Sequence, residues 1–201
     1  MIELKVLQAV RLKGRINPAD IAGTVDEDPT AVAEAVKAAA ESGLIAEGKT
    51  VRLTENGRNR LDELLAAERQ NVDHAAIDTA YAEFRNINAD FKALVTDWQL
   101  KDSEPNTHED EEYDAAVLSR LAEVHQRVTP IVELVGKQLP RLGNYSEKLA
   151  TALEKVQAGE TTWLTRPIID SYHTVWFELH EELIVAAGLT RESEAQAGHA
   201  H

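Results

Sequence analysis

The sequence predicts an all-α chain with a small β-wing, divided into an N-terminal part over residues 1–70 and a helical bundle over residues 71–201. Three observations predict it. Apolar residues recur three and four positions apart along almost the whole length, the period of helices that bury one face. A single hairpin signal interrupts them, Glu47-Gly48-Lys49 between two short extended runs. Proline and glycine stand at the starts and ends of the periodic stretches, where helices accept them.

The first helix, Glu3 to Leu12, carries Leu4, Leu7 and Val10 on one face and ends at Gly14. Asn17-Pro18 starts a short second helix. The Asn side chain accepts from an otherwise orphaned N–H, and Pro at the first helical position wastes no donor. Asp28-Pro29 repeats the device and opens a third helix, with Val32, Val36 and Ala39 inward and a stop at Gly43. Val51 and Leu53 alternate around Arg52 in the hairpin. Thr54 caps a fourth helix, expected to run on unbroken toward Trp98. Three short helices, a two-stranded wing and a fourth helix make the order of a winged helix-turn-helix.

The stretch "DPTAVAEAVKAAAESGLI…VRLTENGRNRL" resembles the recognition helix, wing and following helix of MarR-type and related winged-helix regulators. The resemblance covers residues 1–70. It implies a transcriptional regulator whose third helix enters the DNA major groove. Lys13, Arg15, Thr30, Lys37, Lys49 and Arg52 are then the candidate DNA contacts, with Arg11 beside them. The outer face of the third helix departs from that pattern, offering Ala31, Ala33, Glu34, Ala38 and Glu41 after an acidic Asp26-Glu27-Asp28 turn. Affinity for DNA comes mostly from neutralised phosphates, so these carboxylates weaken DNA as a partner.

Charge is divided unevenly. Residues 1–70 hold 10 Lys and Arg against 12 Asp and Glu; the remainder holds 11 against 23, most of the formal charge of −14. Generic affinity of the second part for nucleic acid or an anionic membrane is thereby disfavoured. Absence of cysteine excludes disulfides, thiolate metal sites and cysteine nucleophiles. No run approaches the ~18 apolar residues of a membrane span. A cytoplasmic protein with no membrane partner is expected.

Within the second part, Ile77, Tyr81, Phe84, Asn88, Phe91, Val95 and Trp98 step by four and three. Asn88, the polar member of that seam, either sets the register of a dimer or is satisfied within one chain. Residues 101–114 read as a solvated acidic loop. A second helix carries Val117, Leu121, Val124, Val128, Ile131 and Val135, with a kink expected before Pro130. A third carries Leu142, Tyr145, Leu149, Leu153 and Val156. Pro167 is expected to open a fourth, with Ile169, Tyr172, Trp176, Leu179 and Leu183 inward, before a disordered tail from about residue 190. Four such helices with short links make an antiparallel four-helix bundle.

Chemistry is sparse. There is no nucleophile elbow, phosphate-cradling glycine loop, dinucleotide fingerprint or H-E-x-x-H, so no enzyme and no cofactor are expected. Asp170, His173, Phe177 and His180 fall on one helix face, a weak metal-ligand pattern that would need a further donor such as His125. Trp98, His125, Tyr172, His173, Trp176 and His180 are the candidate lining of a ligand pocket, and most of Trp98, Trp163, Tyr172, Trp176 and Phe177 are expected to lie toward the bundle. The expected function is a winged-helix regulator with a bundle for homodimerisation and effector sensing by a small molecule. The alternative is a winged helix turned to protein contact, an accessory module without a DNA site; a metal- or ligand-binding bundle comes last.

Overall fold

The computed structural model describes residues 1–196, which are mostly helical with two short antiparallel strand pairs. The chain forms two compact units, Met1–Val72 and the remainder from Asp73.

Unit 1 opens with α1 (Ile2–Lys13), whose Leu4, Val6, Leu7, Ala9 and Val10 are buried. Gly14 ends it at a φ of 68°, a conformation in which a side chain would be strained. Ile16 then forms an isolated antiparallel bridge with Val51. A 3₁₀ turn at Pro18–Asp20, capped by Asn17, leads into α2 (Ile21–Val25). In α3 (Pro29–Glu41), the Asp28 side chain accepts from the Ala31 N–H at 2.9 Å, and Val32, Val36 and Ala39 face the core. Strands β1 (Ile45–Ala46) and β2 (Arg52–Leu53) pair Ile45 with Leu53 and Ala46 with Arg52. Helix α4 (Glu55–Arg69) follows Thr54, whose hydroxyl accepts from the Gly57 N–H and donates to the Gly43 carbonyl. Gly57 is obligatory there: a Cβ would stand 1.9 Å from the Leu44 carbonyl oxygen.

The fourth helix does not continue into the next unit. It ends at Arg69, and α5 (His74–Gln99) begins afresh behind Asp73, whose carboxylate accepts from the Ala76 N–H. The seam from Ile77 to Trp98 is buried as expected, but only over α5. Residues 101–114 are not simply a loop. Strands β3 (Leu100–Lys101) and β4 (Glu104–Pro105) pair across Asp102 and Ser103, both at positive φ, as a two-residue hairpin requires.

Helix α6 (Glu111–Gln138) runs as one element through Pro130, which has no N–H to offer the Gln126 carbonyl; the neighbouring Thr129 hydroxyl donates to the His125 carbonyl. A 3₁₀ turn at Pro140–Leu142 leads to α7 (Asn144–Gln157) and the single turn α8 (Thr162–Thr165). Pro167 does not open the next helix. Ile168 adopts a φ of 77° in an exposed turn, and Ser171 instead caps α9 (Tyr172–Ala186). The expected tail is partly ordered: α10 (Arg191–Gln196) docks Glu194 against the bundle, and the rest of that stretch lies outside the described residues.

Helices α5, α6, α7 and α9 pack in a closed ring, α9 returning onto α5. Their directions follow from cross-links that descend one helix as they climb the next. Arg120 meets Asp97 and Arg127 meets Asp90 between α6 and α5; Phe91 meets Tyr172 and Tyr81 meets His180 between α5 and α9. Both α6 and α9 therefore run antiparallel to α5. Asn88 is satisfied within the chain, its Oδ1 accepting from Trp176 Nε1 at 2.9 Å, so it needs no partner chain.

Candidate functional site

In unit 1 the candidate DNA contacts lie on exposed elements. Arg15, Thr30, Lys37, Lys49 and Arg52 are exposed and Lys13 is half-buried. Lys37 is 78% exposed, with Glu41 one turn away at 3.8 Å, too open a pair to immobilise it. The acidic turn before α3 is less hostile to an anion than its composition suggests. Asp28 is occupied as the α3 cap. Glu27 pairs with Lys5 at 2.5 Å, which holds its carboxyl below the usual range. Asp26 ends α2 in the left-handed conformation. Glu34 remains on the outer face with Ala33 and Ala38, all exposed.

Arg52 also belongs to a feature that sequence reading missed. A cavity of about 400 Å³ opens between the end of α1, β2 and the start of α4. Arg11, Arg52 and Arg58 line it together with Asp62, over an apolar floor of Val10, Leu53 and Leu61. Arg58 follows directly on Gly57, where α4 passes close to the Leu44 backbone. Arg58 stands three residues before buried Leu61 and so shares its side of α4, but no sequence motif marks the cavity they line.

In unit 2 the six candidate pocket residues divide into three places. His173, Trp176 and His180 line a groove of about 220 Å³ between α5 and α9, with Asn88, Phe91 and Lys92 opposite. His125 and Tyr172 face each other inside the bundle, Nδ1 to hydroxyl 3.2 Å, away from that groove. Burial lowers the His125 pKa and raises that of the Tyr172 phenol. Trp98 sits at the far end of α5 under the His108 ring, centroids 4.3 Å apart. The aromatics are not all inward: Phe177 is exposed beneath Arg191, and Trp163 is half-buried beside Lys155.

The Asp170–His173–His180 face is not gathered into a ligand set. Asp170 lies 3.8 Å from Lys148, His173 is exposed at the groove, and His180 Nε2 stands 3.3 Å from the Tyr81 hydroxyl. Among the described residues no three His, Asp or Glu side chains converge on a point where a metal ion could sit. The Tyr81 hydroxyl donates to Glu194 Oε2 at 2.5 Å, and burial drives the His180 pKa down to about 4. This buried Tyr–His–Glu cluster had no signature in the sequence, because Tyr81 and Glu194 are 113 positions apart.

No described helix is long and apolar enough to cross a membrane. Compared with protein-family models, curated proteins and solved structures, the chain finds no match.

Proposed function

We propose that the chain is a winged-helix transcriptional regulator of MarR-like kind, acting in the cytoplasm, with unit 2 serving homodimerisation and effector sensing. The observation that carries this reading is the element order of unit 1. Three helices precede a hairpin whose Val51 is pinned to Ile16, so β1 and β2 project from a fixed base beside an exposed α3. Lys49 and Arg52 on that hairpin, with Lys13, Arg15 and Lys37, give phosphate contacts. The outer face of α3 offers only Thr30, Glu34, Lys37 and Glu41 for base edges, so contact is mainly to the backbone and base readout is slight. The groove of His173, Trp176 and His180 is the site for an apolar effector.

A second reading, a winged helix turned to protein contact, is favoured by one observation: Ala33, Glu34, Ala38 and Glu41 make that exposed face small and acidic. Titration of a random-sequence duplex pool separates the two. The regulator binds at low salt, and a Lys49→Gln/Arg52→Gln variant loses roughly two from the slope of log affinity against log salt. Absence of duplex binding by the wild type at low salt, with binding appearing only in Glu34→Arg, overturns the regulator and leaves the protein-contact module.

A further inference from the structure

We propose that the cavity between α1, β2 and α4 is a binding site for a small organic phosphate, gripped by Arg52 and Arg58 with Arg11 behind them. Three guanidinium groups from segments 41 and 6 residues apart line this one cavity, a concentration of positive charge that favours an anion. Asp62 is the one acidic side chain lining the cavity, so the lining carries a formal surplus of two positive charges. That surplus matches a phosphate monoester, which carries about −1.5 to −2 at neutral pH.

Arg52 and Arg58 are available to a ligand. Neither Arg52 nor Arg58 makes an ion pair or side-chain hydrogen bond with any described residue. Arg60, two positions further along α4, is by contrast engaged by Glu3 at 3.0 Å and by Glu63 at 3.2 Å. Arg11 lies deeper, its Nη1 sealed from solvent, where a charge acts in a lower dielectric than on the surface. Guanidinium is the side chain suited to this task, since its planar fork meets two phosphate oxygens at once.

The floor argues for an organic ester rather than a bare ion. Val10, Leu53 and Leu61 are buried core residues that present apolar surface at the base of the cavity. A volume of about 400 Å³ is far more than one phosphate fills and falls within the range of small-molecule sites, ~300–1,000 Å³. Asp62 can accept a hydrogen bond from a hydroxyl or amino group on the organic part. Occupation would tie β2 to α4 and withdraw Arg52 from duplex phosphates. That consequence, unlike the binding itself, rests on the regulator reading.

The test is calorimetric titration of the full chain with phenyl phosphate, inorganic phosphate and, separately, a random-sequence duplex. Phenyl phosphate binds one site per chain and more tightly than inorganic phosphate. Arg58→Gln and Arg52→Gln each weaken it about tenfold or more, as loss of a charge-assisted hydrogen bond requires. Lys37→Gln, outside the cavity, leaves it unchanged. A circular dichroism melt of each variant separates lost binding from lost folding. No saturable heat from phenyl phosphate with wild type, or equal affinity in a folded Arg58→Gln, overturns the proposal. Duplex binding that depends on Arg58 while neither small phosphate binds also overturns it, assigning the cavity to nucleic acid. Phenyl phosphate binding without duplex binding at any salt leaves the site standing and removes only the regulator.

Discussion

The two units handle buried polarity in opposite ways. Unit 1 fully buries one polar side chain, the uncharged Gln8, and its charged side chains are exposed or half-buried. Unit 2 buries Asn88, Ser171, Glu178, His180, Glu181, Glu182 and Glu194, most of them on α9. An interior of that second kind is stable only while each group keeps its partner, because an unpaired buried charge costs far more than its contact returns. Unit 1 is thus specified by apolar packing and local capping. Unit 2 is specified also by who pairs with whom across the bundle.

The largest expected effect breaks unit 2 at its most buried ion pair. Arg141 Nη1 donates to Glu182 Oε2 at 2.5 Å with the two side chains only 7% and 4% exposed. The same region raises the pKa of buried Tyr145, through burial first and then the charges of Glu182 and Glu178. Arg141→Met strands the carboxylate and should cost about 3–5 kcal/mol in urea unfolding. Arg141→Met with Glu182→Met removes both charges and should recover most of that loss, to within about 1 kcal/mol of wild type. A single variant as stable as the parent would mean that Glu182 is not held by Arg141.

The second effect is a pH dependence confined to unit 2. His180 is faced by Tyr81, Phe84 and Lys92 from α5, by Glu181 on its own helix, and by Arg191 and Glu194 from α10. Burial is the main cause of its fall from 6.5 to about 4, so the folded unit holds it neutral. The unfolded chain binds the proton first. Stability from this group is therefore complete above pH 6.5 and is lost as pH falls toward 4. At pH 5 the loss should reach about 2 kcal/mol, at ~1.4 kcal/mol per pH unit. Desolvation lowers the pKa of half-buried His125 too, and partial desolvation in the groove lowers that of His173, so both add to the same trend. His180→Gln should flatten the curve between pH 6.5 and 4.5; an unchanged slope would move the effect to those two.

The same contrast explains what the sequence made legible. Unit 1 announces itself locally: Asn17, Asp28 and Thr54 were readable as caps, and each accepts the expected backbone N–H. Periodicity likewise marked the inward face of α5, α6 and α7. It failed where punctuation was weak. Gln70-Asn71-Val72-Asp73 contains neither Gly nor Pro, so the break between α4 and α5 rested on Asp73 alone. At Pro167 the strong signal was misleading, and Ser171 four residues on supplied the cap. Pairings such as Tyr81 with Glu194 or Arg11 with Arg58 at one cavity were beyond reach. A helical period assigns a face but not the residue opposite it.

The smallest expected effect sharpens the comparison from the side of unit 1. Gln8 lies on α1 between Leu7 and Ala9, 2% exposed, and neither atom of its amide has a hydrogen-bond partner among the described residues. A buried amide left unpaired forfeits its hydration without return, a cost of about 1–3 kcal/mol. Met has nearly the same length and no polar group to satisfy, and it adapts to an irregular cavity. Gln8→Met should therefore stabilise the protein by about 1–2 kcal/mol in urea unfolding. Asn88→Met, the matched change in unit 2, should instead destabilise it, because Trp176 Nε1 would lose its acceptor inside the bundle. Opposite signs from the same chemical change would confirm that the units differ in pairing and not merely in polar content. If Gln8→Met destabilises as well, its amide is held by an ordered water, and unit 1 also depends on a satisfied polar interior.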